Sequence, residues 1–175
     1  MLNYYFKETI ESFLLKSTDE IVGSISRSNQ FDATLNQNKS WELQIPILKQ
    51  ALKGFTGVIF FEFSIPRMGK RVDALVIIKN VVFALEFKVG EHKFHQHHID
   101  QVWDYALDLK NFHKPSHNAF LVPILIATEA KQSFTAISTS SHNDNLIFPI
   151  RVNKADFSAV IKASLLLLYE NGNIN

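Results

Sequence analysis

The stretch RVDALVIIKNVVFALEFKVG, residues 71–90, sets Asp73, Glu86 and Lys88 into two apolar runs that otherwise read as buried strands. A charge in a sheet interior without a partner is strongly unfavourable unless it neutralises, so each of the three needs company. Side chains alternate across a strand, which puts Glu86 and Lys88 on one face, two residues apart. If 71–78 and 81–88 pair through the Lys79–Asn80 turn, the start of the first strand lies beside the end of the second, and Asp73 falls near Glu86. Two carboxylates at one point repel unless a cation separates them, and an oxygen cluster with no sulfur suits a hard ion such as Mg²⁺ or Mn²⁺. A lysine alongside can orient or activate a water and stabilise charge that builds at phosphorus in a transition state. This is the chemistry of phosphodiester hydrolysis.

The elements that must position these groups follow from periodicity. Residues 5–16 place Phe6, Ile10, Phe13 and Leu14 at helical spacing, and Ser17 with Glu20 forms an S-x-x-E capping box for a second helix through about Ile25. Ser26 to Lys39 is polar and aperiodic, hence a loop. SWELQIPILKQALKG then reads as a helix with Ser40 as N-cap, a kink at Pro46 and a stop at Gly54. GVIFFEFSI, 57–65, is rich in β-branched and aromatic residues and predicts a strand, with Glu62 turned either to the site or to an exposed edge. Three consecutive, closely connected strands predict an antiparallel meander. After a His-rich loop, IDQVWDYALDLKNFH reads as a helix, FLVPILIATEA as a buried strand, LIFPIRV as a short strand, and 154–170 as a final helix.

Composition bounds the function classes. The 175 residues, 46% apolar, suit a globular α/β core at 40–175 with an N-terminal helical extension, 1–39, packed on it. The chain has no cysteine, which excludes disulfides and thiolate metal sites and agrees with a reducing cytoplasm. Neither a signal-peptide pattern at the start nor an apolar run of membrane-spanning length is visible, so a cytoplasmic protein is expected. The formal charge of +1 gives little phosphate-based affinity, so a nucleic-acid substrate would be held weakly by this domain alone. There is no P-loop pattern, which excludes an ATP-driven motor.

Asp73, then Glu86-Phe-Lys88, on strands preceded by a helix carrying Glu42, resembles the PD-(D/E)XK nuclease superfamily. Gln101 and Tyr105 on the following helix make a Q-x-x-x-Y pattern similar to that of its RecB-like branch. IPRMGKRVDALVI, LEFKVG, DQVWDYALDLKNFH and VPILIATEA resemble the nuclease-like region that precedes a helicase-like ATPase in the DUF2075 family, over about Trp41 to Ala130. The resemblance implies a restriction-endonuclease-like core, a mixed sheet of four to five strands in αβββαβ order flanked by helices. It implies that Asp73, Glu86 and the Phe87 carbonyl hold Mg²⁺ or Mn²⁺ and that Lys88 handles the attacking water. Glu42 would bind through a water or a second ion, and Gln101 and Tyr105 would order the site or touch the cleaved strand. The implied activity is cleavage of nucleic acid, with DNA preferred as substrate. The alternative is an inactive nuclease fold that docks nucleic acid or protein.

Arg67, Lys70 and Arg71 cluster between the first two strands, where they either hold a phosphate backbone or form a solvated turn. His92, His95, His97 and His98 carry spacings that zinc can use, or form a loop beside the site. The final helix is apolar on every side at Leu165–Leu168, a surface for an ATPase partner or a second copy, or simply a core-facing helix.

Overall fold

The computed structural model describes residues 3–28, 35–142 and 144–170. In chain order its elements are β1 (Phe6–Thr9), α1 (Ile10–Leu15), α2 (Thr18–Ser28), α3 (Leu35–Leu52), β2 (Val58–Ser64), β3 (Arg71–Ile78), β4 (Val81–Lys88), α4 (Gln96–Phe112), β5 (Phe120–Ala127), β6 (Ile150–Val152) and α5 (Phe157–Glu170). All six strands join one mixed sheet in the order β1-β2-β3-β4-β5-β6. The first four are antiparallel to their neighbours, and β5 and β6 run parallel to β4. The expected mixed α/β architecture is present, with one strand more than expected.

That strand comes from the N-terminus. The helical spacing over 5–16 is realised only from Ile10, because Phe6–Thr9 instead pairs along β2, Phe6 opposite Phe61. An open strand edge offers backbone partners that local helical spacing cannot outweigh. Thr9 then caps α1, its hydroxyl accepting from the Ser12 amide at 3.1 Å. The Ser17–Glu20 capping box forms reciprocally, at 2.6 and 3.2 Å. The polar 26–39 stretch is partly helical: α2 continues to Ser28 and α3 begins at Leu35, so Ser40 lies inside a helix and its hydroxyl accepts from the Gln44 side chain. Residues 29–34 of the expected loop lie outside the described residues. Gly54, at φ +83, ends α3 as expected.

Each sheet face is covered by a different set of helices. One face packs against α1, α2, α3 and α5 through Phe13, Ile25, Trp41, Ile45, Phe157 and Ile161. The other packs against α4 alone, through Val102, Tyr105, Ala106 and Leu109. In β4 the alternation is regular: Phe83, Leu85 and Phe87 go to the first face, Val82 and Ala84 to the second. Glu86 and Lys88 therefore turn toward α4. Leu165 and Leu168 of α5 are buried in the domain's own core and Leu166 is exposed. Among the described residues no helix is long and apolar enough to cross a membrane.

Gly57 fixes how closely the sheet can approach itself at the base of β2. A Cβ there would stand 2.1 Å from the Ile77 carbonyl oxygen, while the Gly57 carbonyl accepts from the Ile10 amide at 2.9 Å. Neither backbone can yield. Gly57→Ala is expected to destabilise the protein by about 3 kcal/mol or more, read as a lower urea midpoint. An unchanged midpoint would contradict this packing.

Candidate active site

The ladder between β3 and β4 runs from Ile78–Val81 to Ala74–Leu85 and stops there. In place of the next rung, Asp73 Oδ2 accepts the Phe87 amide at 2.8 Å. A residue in a strand turns its N–H and C=O to the same side, so the Phe87 carbonyl faces the same gap. The pairing of β2 with β3 likewise passes over the rung between Phe61–Ala74 and Phe63–Val72, where Glu62 stands opposite Asp73. Phe61 and Ala74 lie on one face and Phe63 and Val72 on the other, although each pair is only two residues apart in its strand. The alternation slips by one at Glu62 and Asp73, and Glu62 takes φ +52 to allow it. Three carboxyl-bearing residues thus meet where the β2–β3 ladder skips a rung and the β3–β4 ladder ends.

On the α4 side, Lys88 Nζ is 2.7 Å from Glu86 Oε1 and 3.2 Å from Gln101 Oε1. Gln101 Nε2 in turn donates to the Tyr105 hydroxyl at 2.6 Å, one helical turn on. Glu86 is only 4% exposed, and its Oε2 is buried with no hydrogen-bond partner among the described residues. Glu62 is fixed from the other face: the buried Trp41 indole donates to Oε1 at 2.9 Å, and Arg71 lies 3.7 Å from Oε2.

The electrostatics show an excess of carboxyl groups over cations. Burial, and then the Glu86 charge, push the Asp73 carboxyl well above its ordinary value, against the Phe87 amide that favours the charged form. Glu86 is also raised by burial, although Lys88 opposes this. Glu62 is raised by burial against the pull of Trp41 and Arg71. Burial, with Glu86 next, also raises the Tyr105 hydroxyl and keeps it protonated.

Among the described residues no group of three or more His, Asp or Glu side chains is gathered closely enough to hold an ion by itself. The donor set suits Mg²⁺ or Mn²⁺ nevertheless. Such ions are held by one or two carboxylates and keep several waters, and the groups here that could serve are Asp73, the unpaired Glu86 Oε2 and the Phe87 carbonyl. A cavity of about 410 Å³, lined by Lys39, Ser40, Leu43, Lys88, Glu91 and His98 among others, opens beside Lys88.

The structure therefore brings together Asp73, Glu86, Phe87, Lys88, Gln101 and Tyr105. It does not bring Glu42. The inward stripe of α3 is Trp41, Gln44, Ile45 and Leu48, and Glu42 lies off it, exposed. Glu62 is the carboxylate that sequence reasoning left undecided. The available signal was another acid in an apolar strand, but plain alternation cannot show the left-handed residue that aims it.

Of the three cations between β2 and β3, Lys70 is held by Asp108 at 2.9 Å and Asp104 at 3.4 Å. Arg71 faces Glu62 and lies over the Tyr5 ring, and Arg67 is exposed at φ +67. The His-rich segment is not all loop: His95 is the N-cap of α4, and His97 and His98 lie in its first turn with their rings 4.0 Å apart. No protein-family model matches the chain, and no curated protein matches its sequence.

Carboxyls whose folded pKa lies above the unfolded one hold protons that the unfolded chain has released. Their contribution to stability is present at low pH and is lost as pH rises through the folded values. Asp73→Asn keeps an oxygen to accept the Phe87 amide and removes the charge. In EDTA the variant is expected to melt above wild type at neutral pH, with the gap closing as pH falls toward about 4. A variant less stable than wild type at neutral pH would contradict the crowding of these carboxyls.

Proposed function

We propose that the chain is a divalent-metal-dependent nuclease of PD-(D/E)XK type that hydrolyses phosphodiester bonds of nucleic acid, with DNA as the favoured substrate. The observation that supports this most is the Lys88 ammonium, held between Glu86 and Gln101, at the edge of a gap that contains Asp73 and a buried, unpaired oxygen of Glu86. An ammonium has three donors. Two are taken by Glu86 Oε1 and Gln101 Oε1, which leaves one to aim at a water or a phosphoryl oxygen. Tyr105 sets the Gln101 amide, so its oxygen faces Lys88 and its nitrogen does not.

When bound, Mg²⁺ or Mn²⁺ would lower the pKa of a coordinated water and neutralise charge developing at phosphorus. Asp73, Glu86 and the Phe87 carbonyl are the groups that would hold it. Lys88 would position the water whose oxygen bonds to phosphorus as the bond from phosphorus to the leaving sugar oxygen breaks. It would also stabilise the negative charge that accumulates in that transition state.

The test is cleavage of labelled single-stranded and duplex DNA in Mg²⁺ or Mn²⁺ and in EDTA. Products are expected with metal only, and Lys88→Ala is expected to lower the rate by about 10²–10³ with an unchanged circular dichroism spectrum. Mg²⁺ or Mn²⁺ should also raise the melting temperature of wild type and not of Asp73→Asn, since only the former supplies both carboxylates. Undiminished cleavage by Lys88→Ala would remove it from the reaction.

A further inference from the structure

At the C-terminal ends of the parallel strands, the edge at which open α/β sheets bind ligands, a second cavity of about 470 Å³ lies beside the loop that leaves β4. His92, Lys93, Phe94, Lys131, Phe134 and Arg151 line it, and no Asp or Glu does. Lys93, Lys131 and Arg151 have no acidic partner among the described residues. Of the nearby acids, Glu129 is paired with Lys154 at 2.7 Å, and Glu91 stands 3.6 Å from His95, an ion pair only when that imidazole is protonated. Lys70 and Arg71, by contrast, are already neutralised by carboxylates. In the turn between β2 and β3 Arg67 alone is exposed without an acidic partner among the described residues, whereas this groove gathers three such cations.

The groove is built and not merely charged. Phe134 and Arg151 are cross-strand partners, bonded both ways through their backbones, and the guanidinium lies 4.3 Å from the centre of the Phe134 ring. Phe94 meets the same ring edge-on at 6.0 Å. Stacking fixes the Arg151 plane without spending its N–H donors, which stay available for phosphate oxygens.

We propose that this groove binds a single-stranded segment of nucleic acid, with its phosphates on Lys93, Lys131 and Arg151 and an unpaired base against Phe94 and Phe134. An acidic peptide would satisfy the cations but leave the rings unused, whereas phenyl rings beside cations match the alternation of base and phosphate. A duplex keeps its base faces covered by neighbouring bases and cannot offer one to a ring. The loop that carries His92 to Phe94 begins just after Lys88, so the groove and the candidate active site share the C-terminal end of β4. The inference rests on the nuclease reading for nucleic acid as the occupant.

The probe is a fluorescent oligothymidylate of about 12 nucleotides, titrated in EDTA with the full chain and followed by anisotropy. Lys131→Ala/Arg151→Ala is expected to weaken binding at least about tenfold at about 100 mM salt and to make the salt slope shallower by about 1.4. Lys162→Ala, an exposed change on α5, should bind like wild type. Lys131→Ala alone alters only a loop side chain and should show about half the change in salt slope, which keeps the test valid if the double variant misfolds. Equal binding by wild type and Lys131→Ala, or displacement of the probe by polyglutamate as readily as by unlabelled oligothymidylate, would overturn the proposal. Groove-dependent binding without metal-dependent cleavage would support the groove and refute the nuclease reading. Cleavage with groove-independent binding would do the reverse.

Discussion

Glu62, Asp73 and Glu86 are drawn together where the β2–β3 ladder skips a rung and the β3–β4 ladder ends, with Lys88 bonded to Glu86 and Arg71 3.7 Å from Glu62. Buried carboxyls without full compensation are destabilising, and removing one partner of such a set exposes that cost. The local backbone is arranged around this constraint. Asp73 takes a strand amide, Glu62 adopts a left-handed conformation, and the alternation slips at both residues. A sheet built for stability alone would place valine or isoleucine at these positions and keep its rungs.

The rest of the fold supplies the groups that keep the arrangement from collapsing. α4 crosses one face and brings Gln101 and Tyr105 to Lys88 and Glu86, while α3 crosses the other and brings Trp41 to Glu62. Lys70 joins the turn after β2 to Asp104 and Asp108 of α4, tying that helix to the strand pair that carries the acids. The parallel strands β5 and β6 add the groove-bearing edge beside the same end of the sheet.

The sequence made part of this visible. β3 and β4 match their expected bounds because an eight-residue apolar run closed by a Lys-Asn turn admits few other structures. Asp73, Glu86 and Lys88 follow from alternation and register, and Gln101 and Tyr105 from one turn of helix. Local pattern failed where a partner distant in sequence decided the outcome. Phe6–Thr9 is a strand because the β2 edge is there to receive it, and Glu42 is exposed because Trp41 takes the inward position on α3. Glu62 depends on a single left-handed residue, which nothing in VIFFEFS announces. The three cations of the groove come from segments around residues 93, 131 and 151, so only the folded chain shows that they share a surface.

The central claim is that the raised carboxyls are a site for a divalent cation, and the most direct measurement is the number of protons released when that cation binds. Isothermal titration of Mn²⁺ into the metal-free protein, repeated in buffers of different ionisation enthalpy, gives that number. A cation can bind these carboxyls only in their ionised form, so binding must expel the protons that burial holds there. The account predicts stoichiometric Mn²⁺ binding with proton release that grows as pH is lowered from about 8 toward about 6. Binding with no proton release at any of these pH values, or no binding at all, would contradict it.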